Sequence, residues 1–291
     1  MRHALVFGAT GQIGEPLIDR LHEAGWRITA VSRKPQRDRP GLHWLQGELP
    51  TLKEGTPRDV DAIFSCGPLD LFAQWYDTAG IDCPRVIAFG STSIDVKRGS
   101  ADPQERDVAE RLREGERRVF DRAAARNTQA TILRPTLVYG AGRDATLTRI
   151  AALARRWHRF VLPRHANGLR QPVHVCDLAD AAFACCDAPA TAGEAYSLGG
   201  GERVPYREMV ARVLAVLDPP PKLYEVPGLA FSAALLGARA MGKIGGFGDA
   251  AVVRMRSDLV FDLAPAQRDF GYAPRPFRPT ARMFDSAMLE E

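Results

Sequence analysis

Short runs that are apolar throughout alternate with amphipathic stretches over the first 140 residues of the chain. The apolar runs predict strands at Ala4–Phe7, Arg27–Val31, Leu42–Gln46, Ala62–Ser65, Arg85–Phe89 and Thr131–Arg134. Runs without polar alternation suit a parallel sheet covered on both faces. A helix is predicted from about Glu15, with Leu17, Ile18 and Leu21 turned inward, Pro16 in its first turn and Gly25 closing it. A second helix is predicted from Asp102-Pro103-Gln104-Glu105, where Asp caps, Pro takes the first position and Glu sits three residues after the Asp. Its apolar stripe is Val108, Leu112, Val119, Phe120 and Ala123. After Pro135 the alternation loosens, and helical patterns recur near Thr146–Trp157, Leu178–Asp187 and Tyr206–Leu217. Pro219-Pro220-Pro221 then marks a stiff connection to the last segment.

The strand Ala4–Phe7 runs straight into Gly8-Ala9-Thr10-Gly11-Gln12-Ile13-Gly14, a GxxGxxG loop between a strand and a helix. Such a loop needs a tight turn, close backbone approach to a pyrophosphate and close helix–strand packing, and the helix amides then face the anion. Gly8, Thr10, Gly11, Gln12, Ile13 and Gly14 are therefore expected to bind a dinucleotide. The expected fold is α/β, a Rossmann-type doubly wound parallel sheet with a smaller C-terminal substrate lobe. Residues 1–140 are expected to form the dinucleotide-binding core, to which later segments return, and 141–291 mainly the smaller lobe and a C-terminal packing segment. The end of the second strand reads Ser32-Arg33-Lys34, with no acid to accept the ribose hydroxyls of NAD. Arg33 can pair with a 2′-phosphate and Ser32 adds a small donor, so NADP(H) is expected over NAD(H).

Composition narrows the picture. Thirty-nine basic residues are interleaved with 35 acidic ones for a net charge of +4, as in Glu110-Arg111-Leu112-Arg113-Glu114. Mixing of this kind describes a solvated helix face and argues against nucleic acid as a partner. The five cysteines contain no CxxC pair, so free thiols and a reducing cytoplasm are expected. Nothing at the start reads as a signal peptide, because its apolar stretch feeds the glycine loop. The longest apolar run, Leu229 to Ala238, falls short of the roughly 20 residues of a membrane span and is expected to be a buried or interfacial helix. No metal is expected, and the sequence is compatible with a monomer or a homodimer.

Further segments carry a resemblance to the extended short-chain dehydrogenase/reductase family, the group of nucleotide-sugar epimerases and dehydratases. Gln46-Gly47-Glu48-Leu49 resembles the family's turn beside the adenine, and Cys66-Gly67-Pro68 the strand-four end that passes the cofactor ribose. Phe89-Gly90-Ser91-Thr92-Ser93 resembles the strand-five segment that ends in active-site hydroxyls. Leu133-Arg134-Pro135-Thr136-Leu137-Val138-Tyr139-Gly140 resembles the strand-six turn beside the nicotinamide, and Pro172-Val173-His174-Val175-Cys176-Asp177 a later lobe motif. The resemblance adds Glu48, Leu49, Cys66, Gly67, Pro68 and Pro135 to the expected cofactor contacts, and His174, Tyr139 and Arg256 to a substrate pocket. Arg254 is an equal candidate for an anionic substrate group, and salt bridges to Asp258 or Asp262 explain either arginine as well. Asp177 is expected to cap a helix.

One departure matters. Members of that family place Tyr and Lys four residues apart on a helix beside the nicotinamide, where Lys lowers the Tyr pKa for proton transfer. Between Arg98 and Val138 this chain has no Tyr, Lys or His. With Glu116 taken as the acid that follows the Lys by four, Val108 and Leu112 stand at the dyad positions. The remaining candidates for chemistry are Ser91 and Ser93, whose hydroxyls otherwise serve turn structure, and Tyr139, otherwise a pocket wall. Lys97 is expected to face solvent. Three functions follow: an NADPH-dependent reductase of a small electron-poor acceptor, which needs no Tyr acid because the acceptor can collect its proton from water or a weak donor; a noncatalytic NADP(H)-binding sensor or subunit; and, disfavoured by the missing dyad, a nucleotide-sugar epimerase or dehydratase.

Overall fold

The computed structural model describes residues 1–52, 55–228, 230–231 and 253–284. Its centre is a seven-stranded sheet in the order β11-β6-β5-β4-β1-β2-β3. The strands are β1 (His3–Phe7), β2 (Arg27–Ser32), β3 (Leu42–Gln46), β4 (Ala62–Ser65), β5 (Arg85–Phe89), β6 (Gln129–Pro135) and β11 (Ala195–Leu198). Every neighbouring pair is parallel. The order reverses at β1, which lies between β2 and β4, so a crevice opens at the carboxyl ends of these strands.

Alternation along β1 shows how the sheet is covered. Ala4 and Val6 join one buried cluster with Leu17 and Leu21 of α1 (Gly14–Glu23) and Leu178 and Ala182 of α6 (Val175–Cys186). Leu5 and Phe7 point to the other face, against α2 (Leu69–Thr78) and α4 (Pro103–Ala125). Side chains of successive strand residues lie on opposite faces, so a strand sandwiched between helix layers must be apolar throughout. α2 has no counterpart in the sequence reading. Its buried Leu69, Phe72, Ala73 and Tyr76 do carry helical spacing, directly after Cys66-Gly67-Pro68.

Asp102 caps α4 as expected, accepting from the Gln104 amide at 2.9 Å. Glu105 does not complete a capping box. Its carboxylate takes the Ser100 hydroxyl at 2.6 Å and the Arg254 guanidinium at 2.7 Å instead. Deeper along α4, Glu116 is buried and paired with Arg134 of β6, whose Nε donates at 2.8 Å. This pair ties the helix to the end of the sheet beside Gly90, where an added Cβ would meet the Glu116 carboxylate at 3.0 Å.

After β6 the chain builds a second group of elements. A short helix α3 (Ser93–Val96) has already followed β5, and the two-residue strands β7 (Val138–Tyr139) and β10 (Val173–His174) pair in parallel. β9 (Leu169–Arg170) and β12 (Val204–Pro205) form an antiparallel pair, and β8 (Arg159–Pro163) and β13 (Lys222–Val226) a parallel one. α5 (Leu147–Trp157) and α7 (Tyr206–Ala215) bury Ile150, Ala154, Met209 and Val213 in a third cluster with Phe277 and Phe284. α8 (Ala264–Phe270) packs back against β11, ending at Gly271 with φ of 70°. Apart from Ala230 and Phe231, the apolar run Leu229–Ala238 lies outside the described residues. No helix among the described residues is long and apolar enough to cross a membrane.

The buried pair yields a stability prediction. Arg134→Ala leaves the Glu116 carboxylate buried without its partner, which should cost about 3 kcal/mol. Glu116→Gln removes the charge with little change of shape and should cost less. Urea unfolding of both variants checks the order, and equal losses would contradict it.

Candidate active site

Backbone meets backbone at the glycine loop. Gly8 ends β1 with φ of 67°, and a Cβ there would lie 2.7 Å from the Cys66 carbonyl carbon and from the Gly67 nitrogen. A Cβ on Gly14 would lie 2.2 Å from the Gly8 carbonyl oxygen. Gly11 is less crowded: its Cβ would meet the same oxygen at 2.9 Å and nothing else until 3.9 Å. All three glycines are therefore demanded by the protein's own backbone packing, Gly11 the least, since its Cβ would meet a single close atom.

No side chain caps the amino end of α1, which starts after the buried Ile13. The Gln12 Oε1 atom is buried with no hydrogen-bond partner among the described residues. Amides that no side chain caps, beside a side-chain-free loop, suit the anionic centre of a dinucleotide, and the orphaned Gln12 acceptor suits a hydroxyl donor rather than the anion itself. Across the crevice, the Leu49 side chain faces Gly67, 3.8 Å from where its Cβ would be, and Pro68 leads into α2. Glu48 is exposed, and its carbonyl accepts the amides of Thr51 and Leu52. The Cys66 thiol is pushed up to about 12 by burial, which leaves it unreactive. All five cysteines are free thiols.

At the end of β2, Ser32 is buried and its Oγ accepts from the Lys34 amide at 3.2 Å. Arg33 and Lys34 are exposed. The acid of this loop, Asp38, is engaged by His43 at 2.7 Å and by the Trp44 amide at 2.8 Å. Arg33 thus keeps its guanidinium without a carboxylate partner among the described residues.

One cofactor-side contact has no counterpart in the sequence reading. Arg143 Nη1 donates to the Thr10 carbonyl at 2.6 Å and pairs with Glu15 at 3.0 Å, tying the segment after β7 to the glycine loop. Two glycines with positive φ, Gly140 and Gly142, precede it, and an arginine just past such a turn was the available signal.

The carboxyl ends of β5 and β6 border a cavity of about 230 Å³. Ser91, Thr92, Ser93 and Lys97 line it on one side, Thr136, Leu137 and Thr146 on another. Arg170, Gln171, Arg254, Leu259 and Phe261 complete it. Thr92 holds the two strand ends together, its amide and hydroxyl donating to the Pro135 carbonyl at 3.2 and 3.1 Å. Ser91 Oγ accepts from the Ser93 amide at 3.1 Å. Lys97, expected to face solvent, is half-buried and lines this cavity, because it directly follows the short helix α3 that starts from Ser93.

Three sequence candidates are placed elsewhere. Tyr139 does not line the cavity: it is 1% exposed, packed edge-on against His174 and Phe277. Burial pushes its phenol above the ordinary value, which makes it a poorer proton donor still. His174 is buried beneath the Gly140 turn and caps α6, its Nδ1 accepting the Cys176 amide at 3.2 Å. Burial, and then the charge of Arg275, lower its pKa, so it serves as a neutral cap. Asp177, the expected cap, instead pairs with Arg275 at 2.7 Å and anchors the C-terminal segment. Arg256 is exposed and outside the cavity, while Arg254 lines it. The pairs expected with Asp258 or Asp262 are not the ones formed by Arg254, which binds Glu105. Burial disfavours the Glu105 carboxylate, yet hydrogen bonds from Arg254 and Ser100 and the charges of Arg254 and Lys97 hold it below the usual range.

At the dyad positions, Leu112 packs into the cluster under the sheet and Val108 is half-buried. Neither offers a proton or a hydrogen bond.

The model of the NAD dependent epimerase/dehydratase family matches residues 4–68 and 109–199. The chain is similar to a UDP-glucose 4-epimerase of Vibrio cholerae, 26% identical over 59% of this chain and 51% of the relative, so the match spans about half of that protein. It is also similar to a 2-alkyl-3-oxoalkanoate reductase of Stenotrophomonas maltophilia, 25% identical over 93% of this chain and 94% of the relative. In fold it is similar to MoeE5 in complex with UDP-glucuronic acid and NAD, with a TM-score of 0.67, 20% identity and 94% of both chains covered.

The glycine loop yields a binding prediction. Gly11→Val should abolish NADPH binding while far-UV circular dichroism stays close to native, because the new side chain enters ligand space and displaces only the loop at the Gly8 carbonyl, 2.9 Å from its Cβ. Gly14→Ala should distort the loop itself and lower the unfolding midpoint. A folded Gly11→Val protein that retains NADPH affinity by fluorescence titration would refute the placement.

Proposed function

The chain belongs to the NAD dependent epimerase/dehydratase family, and from that premise we propose that it is an NADP(H)-dependent reductase of a small acceptor. The observation that carries the reading is the pairing of Val108 and Leu112 at the dyad positions with a cavity of hydroxyls and cations. Withdrawing hydride from an alcohol requires a general base, whose help is typically worth about 10²–10⁴ in rate. Reducing an electron-poor carbonyl or quinone requires none. A cavity of about 230 Å³ is also below the roughly 300 Å³ at which ligand pockets usually begin, which favours a small acceptor over a nucleotide sugar. The reductase relative, aligned over nearly the whole of both chains, supports the same side of the choice.

Each part of the crevice has a task in this reading. The loop from Gly8 to Gly14 would hold the pyrophosphate against α1, with Arg143 across it. Glu48, Leu49, Cys66, Gly67 and Pro68 would border the adenosine half, and Pro135 the nicotinamide. Arg33, with Ser32 and Lys34, would meet a 2′-phosphate. When bound, the reduced dinucleotide supplies hydride. Ser91 and Ser93 orient the acceptor oxygen by hydrogen bonds, and Leu137, Leu259 and Phe261 exclude water from the apolar side. Residues 141–291 mainly form the acceptor side. Five free thiols support a reducing cytoplasm as the setting.

Cofactor choice is tested by calorimetry. NADPH should bind more tightly than NADH, and Arg33→Ala should weaken NADPH by about 1.5–3 kcal/mol, roughly ten- to a hundredfold, with less effect on NADH. Equal affinities in the unsubstituted protein would refute the preference.

Turnover is tested by stopped-flow oxidation of NADPH against menadione, acetoacetate, simple alcohols with NADP⁺, and UDP-glucose. Turnover is expected with menadione or acetoacetate and not with the alcohols or UDP-glucose. Tight NADPH binding with no turnover on any acceptor would overturn the reading in favour of a noncatalytic binding protein, and rapid epimerisation of UDP-glucose would overturn it in favour of the sugar-nucleotide chemistry.

A further inference from the structure

The cavity beside β5 and β6 holds one group whose chemistry has not been used. Among its described lining residues, Lys97 is the only one that carries an ammonium, a group with three N–H protons to donate. The two guanidiniums are committed and do not deprotonate. Arg254 binds Glu105 at 2.7 Å, and Arg170 donates to the carbonyls of Leu169 and Ser257 at 2.8 and 2.9 Å. The serine and threonine hydroxyls are far weaker acids than an ammonium. Lys97 itself has a fixed base and an uncommitted tip. Its amide donates to the Ser93 carbonyl at 3.0 Å and its carbonyl accepts the Ser100 amide at 3.2 Å, while no carboxylate pairs with its side chain among the described residues. The acid that feels its charge, Glu105, is already held by Arg254 and Ser100.

We infer that Lys97 donates the proton to the acceptor oxygen, performing from the turn after β5 the task for which α4 carries no side chain. The inference rests on the reductase reading above. In the step, a C–H bond forms at the acceptor carbon as hydride arrives, and the carbonyl π pair moves onto oxygen. An Nζ–H bond of Lys97 breaks as the O–H bond forms. The acceptor is reduced by two electrons, the dinucleotide is oxidised by two, and the neutral amine regains its proton from water. Ser91 and Ser93 set the direction of the oxygen, and the nearby cations Arg170 and Arg254 stabilise charge that builds on it.

The test uses the full chain with acetoacetate and menadione as acceptors. Lys97→Ala should lower kcat by about 10²–10⁴ while NADPH affinity stays unchanged. Added methylamine should restore the rate in proportion to its concentration, and Lys97→Arg, which keeps the charge but releases no proton, should stay slow. Without cofactor, acetic anhydride labelling of Lys97, measured against Lys34 by mass spectrometry, should be suppressed by acetoacetate. A wild-type protein that turns over either acceptor while Lys97→Ala or Lys97→Arg matches its rate would overturn the Lys97 assignment and leave the reductase reading standing. So would a slow Lys97→Ala protein that methylamine fails to restore, or labelling of Lys97 that acetoacetate leaves unaltered. A wild-type protein that turns over neither acceptor would overturn the reductase reading and the donor role with it.

Discussion

The rest of the site depends on a close approach of three backbone segments. The end of β1, the start of α1 and the end of β4 meet where Gly8 touches Cys66 and Gly67 and where Gly14 sits over the Gly8 carbonyl. Any side chain at Gly8 or Gly14 would drive these segments apart. Their contact aims the first turn of α1 along the crevice and leaves its amides without a capping side chain. The proposed seat for the cofactor's anion rests on that packing, which places the uncapped start of α1 where the strand order reverses.

The long helix α4 shows how charge is distributed between solvent and packing. Its exposed face is a ladder of Arg–Glu and Arg–Asp pairs such as Arg113–Glu110 and Arg117–Asp121, which solvate it and add little stability. Its inward carboxylate, Glu116, is spent on Arg134 and fastens the helix to β6. Glu105 at the other end fastens Arg254, which lines the cavity. Between these anchors Val108 and Leu112 contribute packing only. The helix is thus a brace in this protein, and the polar side chains that line the cavity come instead from the turn after β5, with Arg170, Gln171 and Arg254 among those from elsewhere.

Much of the fold was legible in the chain, because a sheet covered on both faces demands continuous apolar runs. The strand predictions from Ala4 to Arg134 coincide with β1 to β6 within two residues at each end. α2 escaped notice because its apolar spacing follows a Gly-Pro turn that reads as loop. β11 escaped because a four-residue edge strand with partly exposed Ala195 and Ser197 has neither length nor a continuous apolar run. Of the candidate site, the glycine loop lies between β1 and α1, and Ser91 and Ser93 line the cavity after β5. Tyr139, His174 and Arg256 do not, since polar residue type alone does not say which side of a turn a side chain takes.

The sequence by itself determined the α/β class, the glycine loop, the basic end of β2 and the absence of a Tyr-Lys pair, all of which are local: each depends on neighbours within a few positions. Only the tertiary structure decided that Arg143 spans to Thr10, that Arg254 and not Arg256 lines the cavity, and that Lys97 lies within it. Those outcomes depend on contacts between segments more than a hundred residues apart or on the sense in which a short helix turns. Such contacts are selected by the packing of whole elements, because burying one apolar face sets where every polar side chain on that element must go.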